Sequence, residues 1–160
     1  MTPVDVLLAQ IDQAYNTHSW HGTNLRGSIR GLTAEDVAWR PQSGRHNIQE
    51  IVVHSAYWKY AARRRLTGEK RGAFPLKGSD WFTRDSIDSD QWAADVRLLD
   101  ECHRSLRAAV AALSPAGLQR IVGGSLVAVS LVSGIIAHDL YHAGQIQLLK
   151  RFHEGKGGRR

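Results

Sequence analysis

The chain has 160 residues, of which 42% are hydrophobic, and a formal net charge of +6. This length fits one domain with a sizeable core, and the composition excludes an intrinsically disordered chain. The longest apolar-looking run, residues 126–137, is too short to span a bilayer. No signal peptide is recognisable at the N-terminus, and Cys102 is the only cysteine, so the expected compartment is the reducing cytoplasm.

Basic residues cluster at 63–65, at Lys70 and Arg71, and in the tail. No aromatic residue is interleaved with the arginine triplet to form a stacking platform for bases. The charge therefore indicates a solvated basic surface first, and weak nucleic-acid binding only as an alternative. The glycine-rich segment 155–160 is predicted to be a flexible basic tail, which leaves residues 1–154 as a single domain.

The first predicted helix covers residues 3–30, where its inward stripe contains Tyr15, His18 and Leu25 at helical spacing. A short helical turn is expected at 33–36. The second helix begins at Asn47, which stands three residues before Glu50 as in a capping box, and ends near Gly68. Its inward stripe includes His54.

Residues 68–88 are predicted to be a loop, long enough for the second and third helices to run parallel. The third helix begins at residues 88–90, carries His103 on its stripe, and ends before Pro115. The fourth runs from about Ser125 to about Phe152. Because no convincing strand is found, the sequence predicts an all-α four-helix bundle.

The fourth helix has three consecutive polar residues on its otherwise apolar stripe, His138, His142 and Gln145. Burying unpaired polar groups destabilises a fold, so these side chains need a partner. His138 and His142 are four residues apart and leave one face of the helix, a geometry in which both can bind one divalent cation. His54 supplies a third nitrogen from another helix. Three protein ligands leave one coordination position open, as in catalytic zinc sites.

The alternative for His138 and His142 is a hydrogen-bonded core pair. His18 and His103 also lie on predicted stripes, where they are either core residues or further ligands. Gln145 and Asp139 are candidates to support the ligand imidazoles, although Asp139 could instead face solvent. The remaining candidates share a place beside the predicted site and are either pocket walls or core residues: Tyr57 and Tyr141.

Two segments carry a resemblance to a known family. Residues 47–54 read NIQEIVVH and residues 138–146 read HDLYHAGQI. Together they resemble the DinB/YfiT-like superfamily of metalloenzymes. The resemblance implies a four-helix bundle of up-down-down-up topology and a divalent metal, nickel or zinc first and iron or manganese next, bound by His54, His138 and His142. One departure is His46, which stands where many members carry tryptophan.

The open three-histidine site favours a metal-dependent enzyme acting on a small molecule, with its catalytic residues unassigned. The resemblance implies a thiol S-transferase that uses a low-molecular-weight thiol such as bacillithiol or mycothiol, and a small-molecule hydrolase is equally compatible. The alternative is a non-catalytic metal-binding module of the stress response. A homodimer is also expected, because apolar residues surround the stripe of the fourth helix on its other faces: Val127, Val129, Val132 and Ile136.

Overall fold

The computed structural model describes residues 1–157, with the side chains of 156 and 157 excepted. Long helices dominate the structure. Its elements in chain order are α1 (Pro3–Tyr15), α2 (Leu25–Ser28), α3 (Ala34–Ala38), α4 (Ile48–Thr67), α5 (Ser89–Ala111), a short 3-10 helix (Gly117–Gln119), β1 (Ile121–Gly123), β2 (Leu126–Val127) and α6 (Ala128–Gly157). The all-α bundle is confirmed. Its four main helices are α1, α4, α5 and α6.

The helices α3 and α4 both begin directly after their predicted capping residues. The Asn47 side chain accepts a hydrogen bond from the Glu50 backbone N–H, and the Glu50 side chain reaches back to the Asn47 N–H. Thr33 and Asp36 form the same reciprocal pair before α3. Each pair satisfies N–H groups that have no partner inside the helix.

The prediction of one helix over residues 3–30 is wrong, because α1 ends at Tyr15. Gly22 adopts φ +99°, which no helical residue can have. Asn24 then caps the separate short helix α2 by accepting from the Gly27 N–H. His18 consequently lies in an exposed loop and not on an inward stripe.

Contacts between side chains establish the up-down-down-up topology. Gln49 at the start of α4 bonds Asp95 near the start of α5, and Tyr60 further along α4 faces the same cavity as Cys102 and Ser105. These two helices therefore run parallel. The helix α6 runs antiparallel to α4, because His54 lies near His142 whereas Ala62 lines the same cleft as Leu131. The helix α1 runs antiparallel to α5, because Asp12 bonds Arg107 whereas Tyr15 bonds Asp100.

Two predictions about the region around α6 need correction. A short antiparallel hairpin of β1 and β2 precedes the helix, which starts at Ala128 and not near Ser125. The helix also continues to Gly157. The last part of the predicted flexible tail, residues 158–160, lies outside the described residues. Within residues 1–157, every helix is either too short or too polar to cross a membrane.

The residues that suggested a homodimer are largely covered within one chain. Val132 is fully buried, and Val129 and Ile136 are partly buried against the hydrophobic core. Three large hydrophobic residues elsewhere on α6 are exposed: Tyr141, Leu148 and Phe152. The homodimer stays a prediction.

His103 belongs to the core and not to the predicted metal site. Its imidazole is 4% exposed and stacks on the Tyr15 ring at a centroid distance of 3.6 Å. Burial, together with the nearby Lys59 ammonium, lowers the pKa of His103 to about 3. The side chain is therefore neutral in the folded protein at every pH above about 4.

The neutral His103 predicts an acid-dependent loss of stability. Below pH 6.5 the unfolded chain takes up a proton at this imidazole and the folded chain does not, so the free energy of unfolding falls as pH decreases from about 6.5 towards 3. One such group contributes a slope of at most about 1.4 kcal/mol per pH unit. Urea unfolding of the metal-free protein and of His103→Gln at pH 7, 6, 5 and 4 measures it. Equal slopes for the two proteins would contradict the prediction.

Candidate metal centre

Three histidines converge between α4 and α6. The Nε2 atoms of His54 and His142 each lie 3.1 Å from Nε2 of His138. All three donor atoms fall within 4.8 Å of one another. Nitrogens bound tetrahedrally to zinc at about 2.0–2.1 Å lie roughly 3.3 Å apart, which is close to the two separations of 3.1 Å.

The helix geometry explains how the three side chains meet. His138 and His142 are one turn apart on α6, so both project from the same face. His54 lies in the second turn of α4. Since α4 and α6 pack antiparallel, this turn lies opposite the middle of α6, and the imidazoles fill the space between the helices.

Hydrogen bonds at the far side of two rings fix the tautomers. Nδ1 of His54 lies 2.9 Å from the Asp80 carbonyl oxygen, and Nδ1 of His142 lies 2.7 Å from Oε1 of Gln145. Both partners are acceptors, so each Nδ1 carries the proton and donates it. The Nε2 atoms of these rings therefore present lone pairs towards His138.

His138 cannot satisfy both of those lone pairs with a single proton. Its own Nδ1 is buried and has no hydrogen-bond partner among the described residues. Burial lowers the pKa of His138 to about 3 and that of His142 to about 4, so both are neutral at pH 7. Neutral imidazoles with converging lone pairs form a donor set that suits a divalent transition metal. As a hydrogen-bonded core group, the same rings would leave polar atoms without partners.

The long loop before α5 supplies part of the site, which the sequence analysis did not anticipate. Asp80 adopts φ +70°, a left-handed conformation that costs energy in a residue other than glycine. In this conformation its carbonyl accepts from His54 and its carboxylate accepts from Nε1 of Trp58 at 2.8 Å. The next residue, Trp81, stacks on His54 at 3.9 Å and on His46 at 3.5 Å. The loop thus holds the His54 ring in place.

Two clefts flank the histidine cluster. The larger, the His142 cleft, has a volume of about 490 Å³ and is lined by Pro41, Gln42, Arg45, His46, Ile51, Trp81, Tyr141, His142, Gln145, Leu148 and Leu149. The smaller, the His138 cleft, measures about 220 Å³ and has a mostly apolar lining that includes Trp58, Leu131 and His138. The two clefts lie beside successive stretches of α6, residues 130–138 and 141–149, so a small molecule can approach the cluster from two directions along the helix.

The other candidate residues lie in different surroundings. Gln145 contacts His142, and the exposed Tyr141 lines the His142 cleft with its ring 5.2 Å from that histidine. Tyr57 packs instead in an aromatic cluster with Phe74 and Phe82. Neither His18 nor His103 belongs to the three-histidine cluster.

Asp139 neither supports an imidazole nor faces solvent. Its carboxylate pairs with the Lys59 ammonium, and both side chains are almost completely buried. Lys59 was not predicted as a buried residue. It lies one residue after Trp58 on α4, a helix whose central turns are buried nearly all round in the structure.

Removing the acceptor from Gln145 is expected to weaken metal binding. Gln145→Leu deprives Nδ1 of His142 of its partner, so the ring is free to rotate or to change tautomer. Loss of such a supporting bond typically reduces metal affinity by roughly 10–100-fold. Competition with a chelator measures the affinity. Gln145→Glu keeps an acceptor and is the control, and equal affinity in Gln145→Leu and the wild type would contradict the proposed support.

A comparison with protein-family models gives one match. The model of the DinB superfamily matches residues 17–146, a region that contains all three histidines. Comparisons with curated proteins and with solved structures gave no significant match. The family match covers most of the chain and agrees with both the helical bundle and the three-histidine cluster. The chain therefore belongs to the DinB superfamily.

Proposed function

We propose that the protein is a metal-dependent enzyme that transfers a low-molecular-weight thiol to a small electrophile. The observation that carries the proposal is the cluster of three neutral imidazoles, which opens to a cleft and includes no fourth histidine, cysteine or carboxylate among the described residues. Structural zinc sites have four protein ligands, whereas catalytic sites keep one position for water or substrate. Three ligands beside a cleft support catalysis over a purely structural metal.

The lining of the His142 cleft favours a thiol over water as the nucleophile. It contains no carboxylate, and the imidazole of His46 is already paired through Nδ1 with Glu50, so neither is placed as a dedicated base for water. A thiol needs less help, because its pKa of about 8.5 is already close to neutrality. When bound, a divalent metal supplies positive charge that favours the thiolate form. Hydrolysis of a small substrate is the second candidate activity.

The residues of the cleft suit a small, partly polar thiol. Arg45 and His46 offer positive or hydrogen-bonding groups at one side, and Trp81, Leu148 and Leu149 provide apolar walls. In the transfer, the thiol loses its proton to solvent, its sulfur forms a bond with an electrophilic carbon, and the displaced group leaves with the bonding electrons. The role of the cleft is to hold the two molecules in line and to exclude water.

Nickel and zinc are the metals we propose first, with iron and manganese next. Three imidazoles accept any of the later first-row divalent ions, so the ligands alone do not select one of them. The donor set consists of neutral nitrogens, which disfavours calcium and magnesium.

The test is a matrix of metals and substrates. Protein purified without a metal-affinity tag is stripped, reloaded with nickel, zinc, iron(II) or manganese, and assayed with glutathione, bacillithiol or mycothiol and 1-chloro-2,4-dinitrobenzene as the electrophile. We expect release of chloride to depend on the thiol, on the metal and on His138. A parallel panel of aryl esters without thiol detects hydrolysis.

His18→Ala is the matched control, because His18 is exposed and lies outside the cluster. It should retain full activity, whereas His138→Ala should lose it. A His138→Ala protein that retains turnover would contradict the proposal. Ester hydrolysis without thiol transfer would replace it with the second candidate, and metal binding without any turnover would support the non-catalytic module.

A further inference from the structure

We propose a second binding site, separate from the metal centre, for an organic anion with a planar ring, such as an aryl or nucleoside phosphate. The site is a cavity of about 440 Å³ between α4 and the loop that follows it, here named the loop pocket. It is lined by Tyr57, Tyr60, Arg64, Arg71, Gly72, Phe74, Pro75, Leu76, Lys77 and Gly78. None of these residues lines either cleft at the histidine cluster.

The charge of the loop pocket is uncompensated. Its lining contains three cationic side chains, Arg64, Arg71 and Lys77, and no carboxylate. Within residues 1–157, none of the three forms an ion pair. The carboxylates on either side of this segment are engaged elsewhere, because both oxygens of Glu69 accept from Arg63 and the Asp80 carboxylate accepts from Trp58. Three cations around one cavity attract an anion and repel other cations.

Arg64 adds a more specific observation. Its Nη1 donates to the Glu69 carbonyl oxygen, which anchors one end of the guanidinium. Its Nε is buried and has no hydrogen-bond partner among the described residues. Buried donors in native proteins are nearly always satisfied by a protein group, water or a ligand, so this Nε is available to donate to a bound oxygen. A phosphate oxygen supplies one and neutralises the charge.

Aromatic side chains form the other wall of the loop pocket. The Phe74 ring lies 5.3 Å from that of Tyr57 and 5.5 Å from that of Tyr60. The Tyr60 hydroxyl accepts from the backbone N–H groups of Gly72 and Ala73, which ties the loop to α4.

The size and the chemistry of the pocket together select the class of ligand. Cavities that bind small molecules usually measure about 300–1,000 Å³, so the loop pocket exceeds what inorganic phosphate needs. The aromatic wall suits a planar ring, since ring pairs prefer the offset or edge-on contacts that Tyr57 and Phe74 can offer. The three cations suit a phosphate dianion. A phosphate ester of a planar group uses both features.

Binding of three probes to the full chain tests the proposal. Calorimetry with phenyl phosphate, inorganic phosphate and phenol separates the contributions of charge and ring. We expect phenyl phosphate to bind at least tenfold more tightly than either of the others. Arg64→Gln and Arg71→Gln should each reduce its affinity roughly tenfold, as expected for loss of a hydrogen bond to a charged group. The exposed side chain of Arg71 makes its variant safe for folding.

Two controls locate the ligand. Arg30→Gln removes an exposed cation outside the pocket and should leave the affinity unchanged. His138→Ala should also leave the affinity for phenyl phosphate unchanged. If the phosphate bound at the metal centre instead, this variant would lose the binding. Equal affinity for phenyl phosphate and inorganic phosphate, an unchanged affinity in both pocket variants, or loss of binding in His138→Ala would each overturn the proposal.

Discussion

His138→Ala is expected to lower the affinity for nickel or zinc by roughly two to three orders of magnitude. His138 is the central ring, with its Nε2 3.1 Å from the donor atoms of both other histidines. Sites with four ligands bind zinc with about 10–16 kcal/mol, or roughly 2.5–4 kcal/mol for each ligand. Elemental analysis gives the metal content of the purified protein, and titration against a competing chelator gives the affinity.

The matched control for this experiment is His18→Ala, which removes an exposed imidazole from the loop after α1. Its metal content should equal that of the wild type. Because His138 is already deprived of a partner at Nδ1, its replacement by alanine should disturb the metal-free fold little. A His138→Ala protein that retains stoichiometric metal would show that the ion is bound elsewhere.

The histidine cluster was predictable because polar side chains occupy positions that the helical spacing predicts to be buried. An apolar stripe interrupted by His138, His142 and Gln145 demands a common partner for three polar groups. The residues of the capping boxes were predictable for a related reason, since the free N–H groups at a helix start need nearby acceptors. Both inferences depend on local spacing, which the sequence contains directly.

Features that depend on contacts between distant segments were not predictable. Asp80 and Trp81 looked like ordinary residues of a connecting loop, and only the packing of that loop against α4 places them on His54. The end of α1 illustrates a different difficulty. Tyr15 and Leu25 have helical spacing, but the intervening Gly22 adopts a left-handed conformation. Spacing alone cannot show where a chain leaves a helix and starts another with the same period.

Lys59 shows how a buried charge escapes detection. On an isolated helix a lysine is expected to be solvated, and its burial requires a counter-charge from another element. That counter-charge is Asp139, which is 80 residues away in the sequence. The pairing follows from the axial position of α4 relative to α6, which also places His54 next to His138. The same packing therefore determines the ion pair and the metal centre.

Lys59→Met is expected to destabilise the protein by about 3–5 kcal/mol, because it leaves the Asp139 carboxylate buried without a counter-ion. The side chains of Lys59 and Asp139 are only 1% and 3% exposed. Burial raises the pKa of Asp139, and the Lys59 ammonium opposes that rise. Urea unfolding of the metal-free protein at pH 7 measures the change in the free energy of unfolding.

The double variant Lys59→Met/Asp139→Leu separates the cost of an unpaired charge from that of altered packing. Replacing both partners removes the buried charge, and apolar substitutes for a buried ion pair are often neutral or stabilising. We therefore expect the double variant to recover most of the loss, even if the single variant fails to fold. Arg63→Met breaks the partly exposed pair with Glu69 and should cost less than about 1 kcal/mol. A Lys59→Met protein no less stable than Arg63→Met would show that the buried pair contributes little to the fold.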